Sequence, residues 1–223
     1  MSAGQTISHA GAADRRRGRI IRYTLSERIH HWLAGLTYLY CLLTGLAFWS
    51  PYLFWMTNIV GGGPTARFWH PWMGAGFTIA TVWLFVIWQR DMEITDTDRA
   101  WEKSAEHYVR NEDEKLPPVG RFNWGQKVFF WVMLWGALLL LLSGLGLWFV
   151  ESIPPWLRFV SITVHVTAAL VTIGAFIIHV YMGTAMVRGS FSAMVTGEVA
   201  PEWARHHHRL WYEKVAKDNP ERR

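Results

Sequence analysis

Four stretches of the chain are apolar around the whole helical circumference: residues 29–49, 68–88, 128–150 and 159–182. Each is about as long as the roughly 20 residues that a helix needs to cross the hydrocarbon core of a bilayer. A soluble helix of that length keeps a polar stripe for water, and these have almost none. The pattern predicts an all-α integral membrane protein, a four-transmembrane-helix bundle. Backbone breakers separate the spans. Ser50-Pro51 closes the first, Gly61-Gly62-Gly63-Pro64 precedes the second, and Pro154-Pro155 makes a tight link between the third and fourth. A charged stretch, residues 90–121, follows the second. The segment before the first span is too polar and too long to lead a signal peptide, so that span is expected to be retained. The reading divides the chain into an N-terminal arm (1–27), a transmembrane domain (28–185, with a central loop at 90–126) and a C-terminal tail (186–223).

Composition sharpens this picture. Apolar residues make up 51% of the 223 residues and charged residues 17%, a low charge share for a soluble domain. The 15 tryptophans suit surfaces where one end of a side chain is apolar and the other wet. Lys and Arg set the expected orientation. Six arginines precede the first span, seven Lys or Arg lie at 90–127, and seven follow the fourth span. The two remaining links carry one each, Arg67 and Arg158. Both termini and the central loop are therefore expected on the cytoplasmic side. Cys41 is the one cysteine, so there is no internal disulfide, no C-x-x-C-H for covalent haem, and no cysteine cluster for iron–sulfur or structural zinc. A faint repeat, Leu-Thr-Gly-Leu-Ala-Phe-Trp at 43–49 and Leu-Ser-Gly-Leu-Gly-Leu-Trp at 142–148, fits two similar helical hairpins.

The histidines carry the candidate chemistry. An ionisable residue inside a span is costly and is by default functional. His31, His70, His165 and His179 lie within spans. With the expected topology, His31 and His179 lie near the cytoplasmic surface, and His70 and His165 near the outer one. The 14 residues from His165 to His179 return to nearly the same helical face, about 21 Å along the axis. Two imidazoles facing each other fill both axial positions of an iron porphyrin and leave none for substrate. The four histidines are accordingly expected to ligate two haems b, one per leaflet. For any single one the competing role is a helix-to-helix hydrogen bond. Gly45 lies nearly on the face of His31, and Gly74, Gly76, Gly144, Gly146 and Gly174 are further places where a flat macrocycle could pass; close helix packing is their alternative use. His30 competes with His31, which aligns better with Gly45. His9, His107, His206, His207 and His208 fall outside the spans, and the last three, beside Arg205 and Arg209, read as a basic surface.

Ser-Glu-Arg-Ile-His-His-Trp (26–32), Arg-Phe-Trp-His-Pro (67–71), Arg-Phe-Asn-Trp-Gly-Gln-Lys (121–127), His165 and His179 at their spacing, and the tail at 194–212 resemble the gamma (cytochrome b556) subunits of membrane-bound respiratory formate dehydrogenases. The likeness covers residues 22–214. It implies the same four haem ligands and a place in the bacterial inner membrane. It also implies an iron–sulfur beta subunit that delivers electrons and a molybdenum or tungsten pterin alpha subunit that oxidises formate. Three such heterotrimers assemble further in that family. The acceptor it implies is a quinone (menaquinone or ubiquinone), reduced near the cytoplasmic side at Asn123 and Gly125, with His179 nearby and Gln126 and Lys127 as weaker contacts. Asn can donate to a quinone carbonyl, and Gly lets a ligand approach its backbone. Helix capping is the alternative role for Asn123. Trp124 departs from the small residue expected at that position. The rival reading is the cytochrome b of another respiratory complex, of hydrogenase or thiosulfate reductase type.

Overall fold

The computed structural model describes residues 18–110 and 112–218. Most of the expected N-terminal arm, including His9 and three of its arginines, lies outside them. Among these described residues, four helices are long and apolar enough to cross a membrane: α1 (Leu25–Trp49), α2 (Gly63–Trp88), α5 (Trp124–Trp148) and α6 (Pro155–Tyr181), the last running on through a π-helical turn at Met182–Met186. The shorter helices are α3 (Asp96–Lys103), α4 (Ala105–Val109), α7 (Ser190–Thr196), α8 (Pro201–His207) and α9 (Arg209–Asp218). The central loop and the tail are thus substantially helical, where the charge pattern alone predicts only connecting chain. Between α1 and α2 the chain runs as a 3₁₀ helix, Pro51–Val60. It turns through Gly61 and Gly62, whose φ values of 93° and 91° favour glycine. Contacts divide the chain into two units. One holds residues 26–89 and 128–182; the other holds 18–25, 90–127 and 183–218.

In the membrane unit many large apolar residues face outward, and small residues fill much of the interior beside Tyr38, Phe77, Leu84, Trp88 and Phe130. Leu36, Ile79, Trp135, Leu142, Ile177 and Ile178 are exposed, whereas Ala34, Ala47, Ala80, Ala137 and Ala168 are buried with Thr37, Thr44, Thr78, Thr81 and Thr172. In a bilayer the tails solvate leucine as well as a protein core does, so helices gain by close approach rather than by hiding apolar bulk. At its glycines, α5 stands very close to α6. A Cβ added at Gly136 would lie 2.3 Å from Thr172 Cγ2, and one at Gly146 would lie 2.4 Å from Ser161 Oγ. Buried hydroxyls donate to carbonyls one turn back, as Thr172 does to Ala168 at 2.9 Å and Thr81 to Phe77 at 2.8 Å. Thr78 bridges helices through the Ala137 carbonyl at 3.2 Å.

In the other unit a short antiparallel pair, β1 (Ile20–Ile21) with β2 (Glu198–Val199), joins the N-terminal approach to the tail. The central segment is pinned by a buried ion pair: Lys127 Nζ donates to Asp98 Oδ2 at 2.6 Å and to the Glu93 carbonyl at 2.8 Å. Asp98 also closes the capping box of α3, accepting from the backbone and hydroxyl of Thr95.

Candidate functional site

Within the membrane unit, the four intramembrane histidines come together in twos. The rings of His31 on α1 and His179 on α6 have centroids 6.0 Å apart. Those of His70 on α2 and His165 on α6 are 6.3 Å apart. Two imidazoles bound to one metal, each with a metal–nitrogen bond of about 2 Å and about 1.1 Å from nitrogen to ring centre, stand with centroids about 6 Å apart. Both pairs have that separation. His30 turns elsewhere: its ring stacks on Trp83 at 5.1 Å, and its Nδ1 meets the Ser26 carbonyl at 2.8 Å.

The surroundings of the two pairs differ. Thr44 Oγ1 lies 2.7 Å from His70 Nδ1, and Ser143 Oγ lies 3.0 Å from His165 Nδ1. Each hydroxyl has one hydrogen and places it on a backbone carbonyl, Thr44 on Tyr40 at 2.8 Å and Ser143 on Leu139 at 2.6 Å. Toward the ring each is therefore an acceptor. A ring that donates its Nδ1 proton to such an oxygen keeps a free lone pair on Nε2, the form a metal ligand needs. In the other pair, the Nδ1 of His31 is buried with no hydrogen-bond partner among the described residues, and the His179 ring lies flat on Phe129, centroids 4.2 Å apart and planes at 4°. Hydroxyls placed to accept from Nδ1 of two rings, and two ring pairs at metal-bridging separation, fit these four histidines as ligands of haem iron.

The glycines sort themselves differently from their helical phase. Gly45 faces His70, whose Cε1 would lie 3.6 Å from an added Cβ; Gly144 faces His165 Cε1 at 3.3 Å. The Thr-Gly and Ser-Gly of the sequence repeat are thus the two places where a span meets the histidine of the next. Sequence reasoning found the repeat and missed its use. Hydroxyl–glycine dipeptides at matched positions were the available signal. Gly76 lies by Thr37, and Gly74 by Cys41.

Asn123, Gly125, Gln126 and Lys127 belong to the other unit, at the start of α5. Asn123 caps that helix: its Oδ1 accepts from the Gln126 backbone at 2.9 Å, and Gln126 Oε1 accepts from the Asn123 backbone at 3.0 Å. The capping role weighed against ligand binding is therefore real, and it leaves the Asn123 amide Nδ2 unspent among the described residues. Asn123 and Gln126 line a cleft of about 750 Å³ with Trp101, Pro118, His207 and Tyr212. Gly125 stands in ordinary contact, so packing alone does not demand a glycine there. Trp124, where a smaller residue was expected, stacks on Trp101 at 6.1 Å. Lys127 is committed to Asp98 and Glu93 and is only 6% exposed. That removes it as a ligand contact.

His208 corrects a second expectation. It is 2% exposed rather than part of a basic surface. Its Nδ1 donates to the Gly120 carbonyl at 2.9 Å, and its Nε2 accepts from Arg22 Nη2 at 2.9 Å. Burial, and then the adjacent guanidinium, hold its pKa well below the ordinary imidazole value. No group of three or more His, Cys, Asp or Glu that could hold a metal ion occurs among the described residues.

The chain is similar over most of its length to a known family and to several known proteins. The family model described as prokaryotic cytochrome b561 matches residues 22–197. The formate dehydrogenase cytochrome b556(fdo) subunit of Escherichia coli is 35% identical over 208 residues, covering 91% of this chain and 96% of that one. The nitrate-inducible formate dehydrogenase cytochrome b556(Fdn) subunit of the same organism is 29% identical over 201 residues, 89% and 92% of the two chains. The formate dehydrogenase cytochrome b556 subunit of Haemophilus influenzae is 31% identical over 199 residues, 87% and 82%. A membrane bundle with paired histidines, a family match over most of its length and relatives of nearly its own size lead to one assignment: the chain belongs to the prokaryotic cytochrome b561 family, with the formate dehydrogenase cytochrome b556 subunits.

Proposed function

We propose that the chain is the membrane cytochrome b subunit of a respiratory formate dehydrogenase. In this role it carries electrons from an iron–sulfur beta subunit through two haems b to a quinone at the cytoplasmic face of the bacterial inner membrane. Formate oxidation belongs to the alpha subunit. The observation that carries this reading is the pairing of His31 with His179 and of His70 with His165 at centroid distances of 6.0 and 6.3 Å. The 14 residues between the two histidines of α6 separate the pairs by about 21 Å along the helix. Haems held there by His31, His70, His165 and His179 would supply one-electron redox chemistry.

The chain's own part is to hold and insulate. α6 contributes one ligand to each pair, so a single rigid helix sets the spacing of the two centres. The exposed leucines and isoleucines of the spans keep water and ions from the electron path. The excess of Lys and Arg before α1, after α2 and after α6 supports both termini facing the cytoplasm. Asn123, through its unspent Nδ2, is the residue we assign to a quinone carbonyl, with Gly125 giving access to the backbone. Quinone reduction on that side draws its protons from the cytoplasm. Inward movement of each negative charge is worth about 2.3 kcal/mol per 100 mV of membrane potential.

Pyridine haemochrome quantification on the purified chain tests the central claim. The expected result is two haems b per polypeptide, and a chain devoid of b-type absorbance would end this reading. Co-purification tests the complex: a molybdenum- or tungsten-containing formate dehydrogenase is expected, and a nickel–iron partner would reject it. For the quinone assignment, Asn123→Ala should weaken quinone binding while both haems stay reducible.

A further inference from the structure

The two histidine pairs have different second partners. The His70–His165 pair has a hydroxyl on each Nδ1, Thr44 at 2.7 Å and Ser143 at 3.0 Å. In the His31–His179 pair, neither ring has a hydrogen-bond partner among the described residues, and His31 Nδ1 is buried. A hydrogen bond donated from Nδ1–H moves electron density toward Nε2 and makes the ring a stronger donor to a metal. A stronger donor stabilises the more oxidised, more positive iron, so hydrogen bonding around a haem ligand is a lever on its potential.

We infer that Thr44 and Ser143 are positioning residues that lower the midpoint potential of the His70–His165 centre below that of the His31–His179 centre, so that electrons run downhill along α6. This rests on the reading of the four histidines as haem ligands. The placement is built into the fold twice. Thr44 and Ser143 are buried, at 0% and 6% exposure. Each is followed by a glycine, Gly45 and Gly144, that lets the histidine ring come within contact distance of the neighbouring helix. Each spends its own hydrogen on a carbonyl one turn back, which makes it an acceptor to the ring rather than a donor. A hydroxyl donating to Nδ1 would have the opposite effect on the ligand, so the carbonyl contact decides the sign. The order of potentials then follows the charge-based topology, with the electron-rich centre at the face where electrons enter.

The experiment is a potentiometric titration of the full-length chain in detergent, followed at the haem absorbance bands, after haem content has been measured. Native protein should titrate as two components. Absence of haem from the native chain would fail the ligand reading itself and is decided at that first step. Ser143→Ala and Thr44→Val should each raise the lower midpoint and leave the higher one in place, and Ser143→Thr and Thr44→Ser should restore it. Movement of the higher midpoint, or of neither, in variants that keep two haems overturns the inference. Should the hydroxyl-free variants lose one haem, retention of both haems and of the native lower midpoint in Ser143→Thr and Thr44→Ser supports it. Loss in those conservative variants too would reduce the hydroxyls to packing and overturn it.

Discussion

Arg22 is 3% exposed, yet its charge is well provided for. Nη2 donates to the Arg121 carbonyl and to His208 Nε2, both at 2.9 Å, and the guanidinium stands 5.1 Å from the ring centroids of Tyr23, Trp203 and Trp211. Cations over aromatic faces gain most when desolvated. His208 must stay neutral here, because a proton on Nε2 would face Arg22 directly, with His207 adding to the repulsion. Arg121, paired with Asp91, is the other cation packed on Tyr23 and Phe122. The sign of the pH effect follows. The folded-state pKa of His208 lies below its unfolded value of about 6.5, so the unfolded form binds the extra proton between the two values. Stability from this group is complete above about pH 6.5 and is lost as pH falls toward the lowered pKa, by up to about 1.4 kcal/mol per pH unit. Amide hydrogen exchange of α8 and α9 should therefore quicken between pH 7.5 and 5.5 beyond its intrinsic pH dependence. His208→Gln should flatten that response, and an equal response in both would show that His208 does not titrate into the fold.

Between neighbouring helices, close approach sets the tolerances. Gly136 on α5 sits so close to α6 that a methyl group would meet Thr172 Cγ2 at 2.3 Å. Thr172 is itself tied to Ala168 and Ala169. Gly136→Ala should cost about 1–3 kcal/mol, the usual toll of overpacking, read as a lower thermal midpoint in detergent. Gly174 has no atom within contact range of an added Cβ, so Gly174→Ala is the matched control and should be near neutral. The start of α5 depends on charge instead. Burial would raise the Asp98 carboxyl's pKa, but hydrogen bonds from Lys127 and Thr95 outweigh it and bring it below the ordinary range. Asp98→Ala leaves Lys127 as a buried charge without its counter-ion, so a loss of about 3–5 kcal/mol is expected. An Asp98→Ala protein that unfolds like the native one would show that Lys127 escapes to water.

The two histidine pairs share α6 and otherwise draw on different helices, His31 on α1 and His70 on α2, so the proposed haem ligation separates into two sites. His70→Ala should therefore lower haem content from two to one per chain and leave a spectrum belonging to the His31–His179 pair. His31→Ala should do the converse. Retention of both haems in His70→Ala would remove that histidine from the ligand set.

Much of this was legible in the residues alone. Four long apolar runs dictate four spans, because an unpaired backbone is intolerable in lipid and a helix is the local remedy. Depth is equally readable: at 1.5 Å per residue, counting places His165 and His179 at opposite levels of one helix, and the structure brings each beside the partner expected at its level. Rotation about a helix axis and the crossing of neighbours are set by packing, and counting does not supply them. Only the tertiary structure turned Gly45 toward His70 rather than His31, set Thr44 and Ser143 on Nδ1, withdrew Lys127 into an ion pair with Asp98, and buried His208 against Arg22. Each depends on which residues from distant parts of the chain meet, and a linear pattern holds depth and polarity but not that meeting.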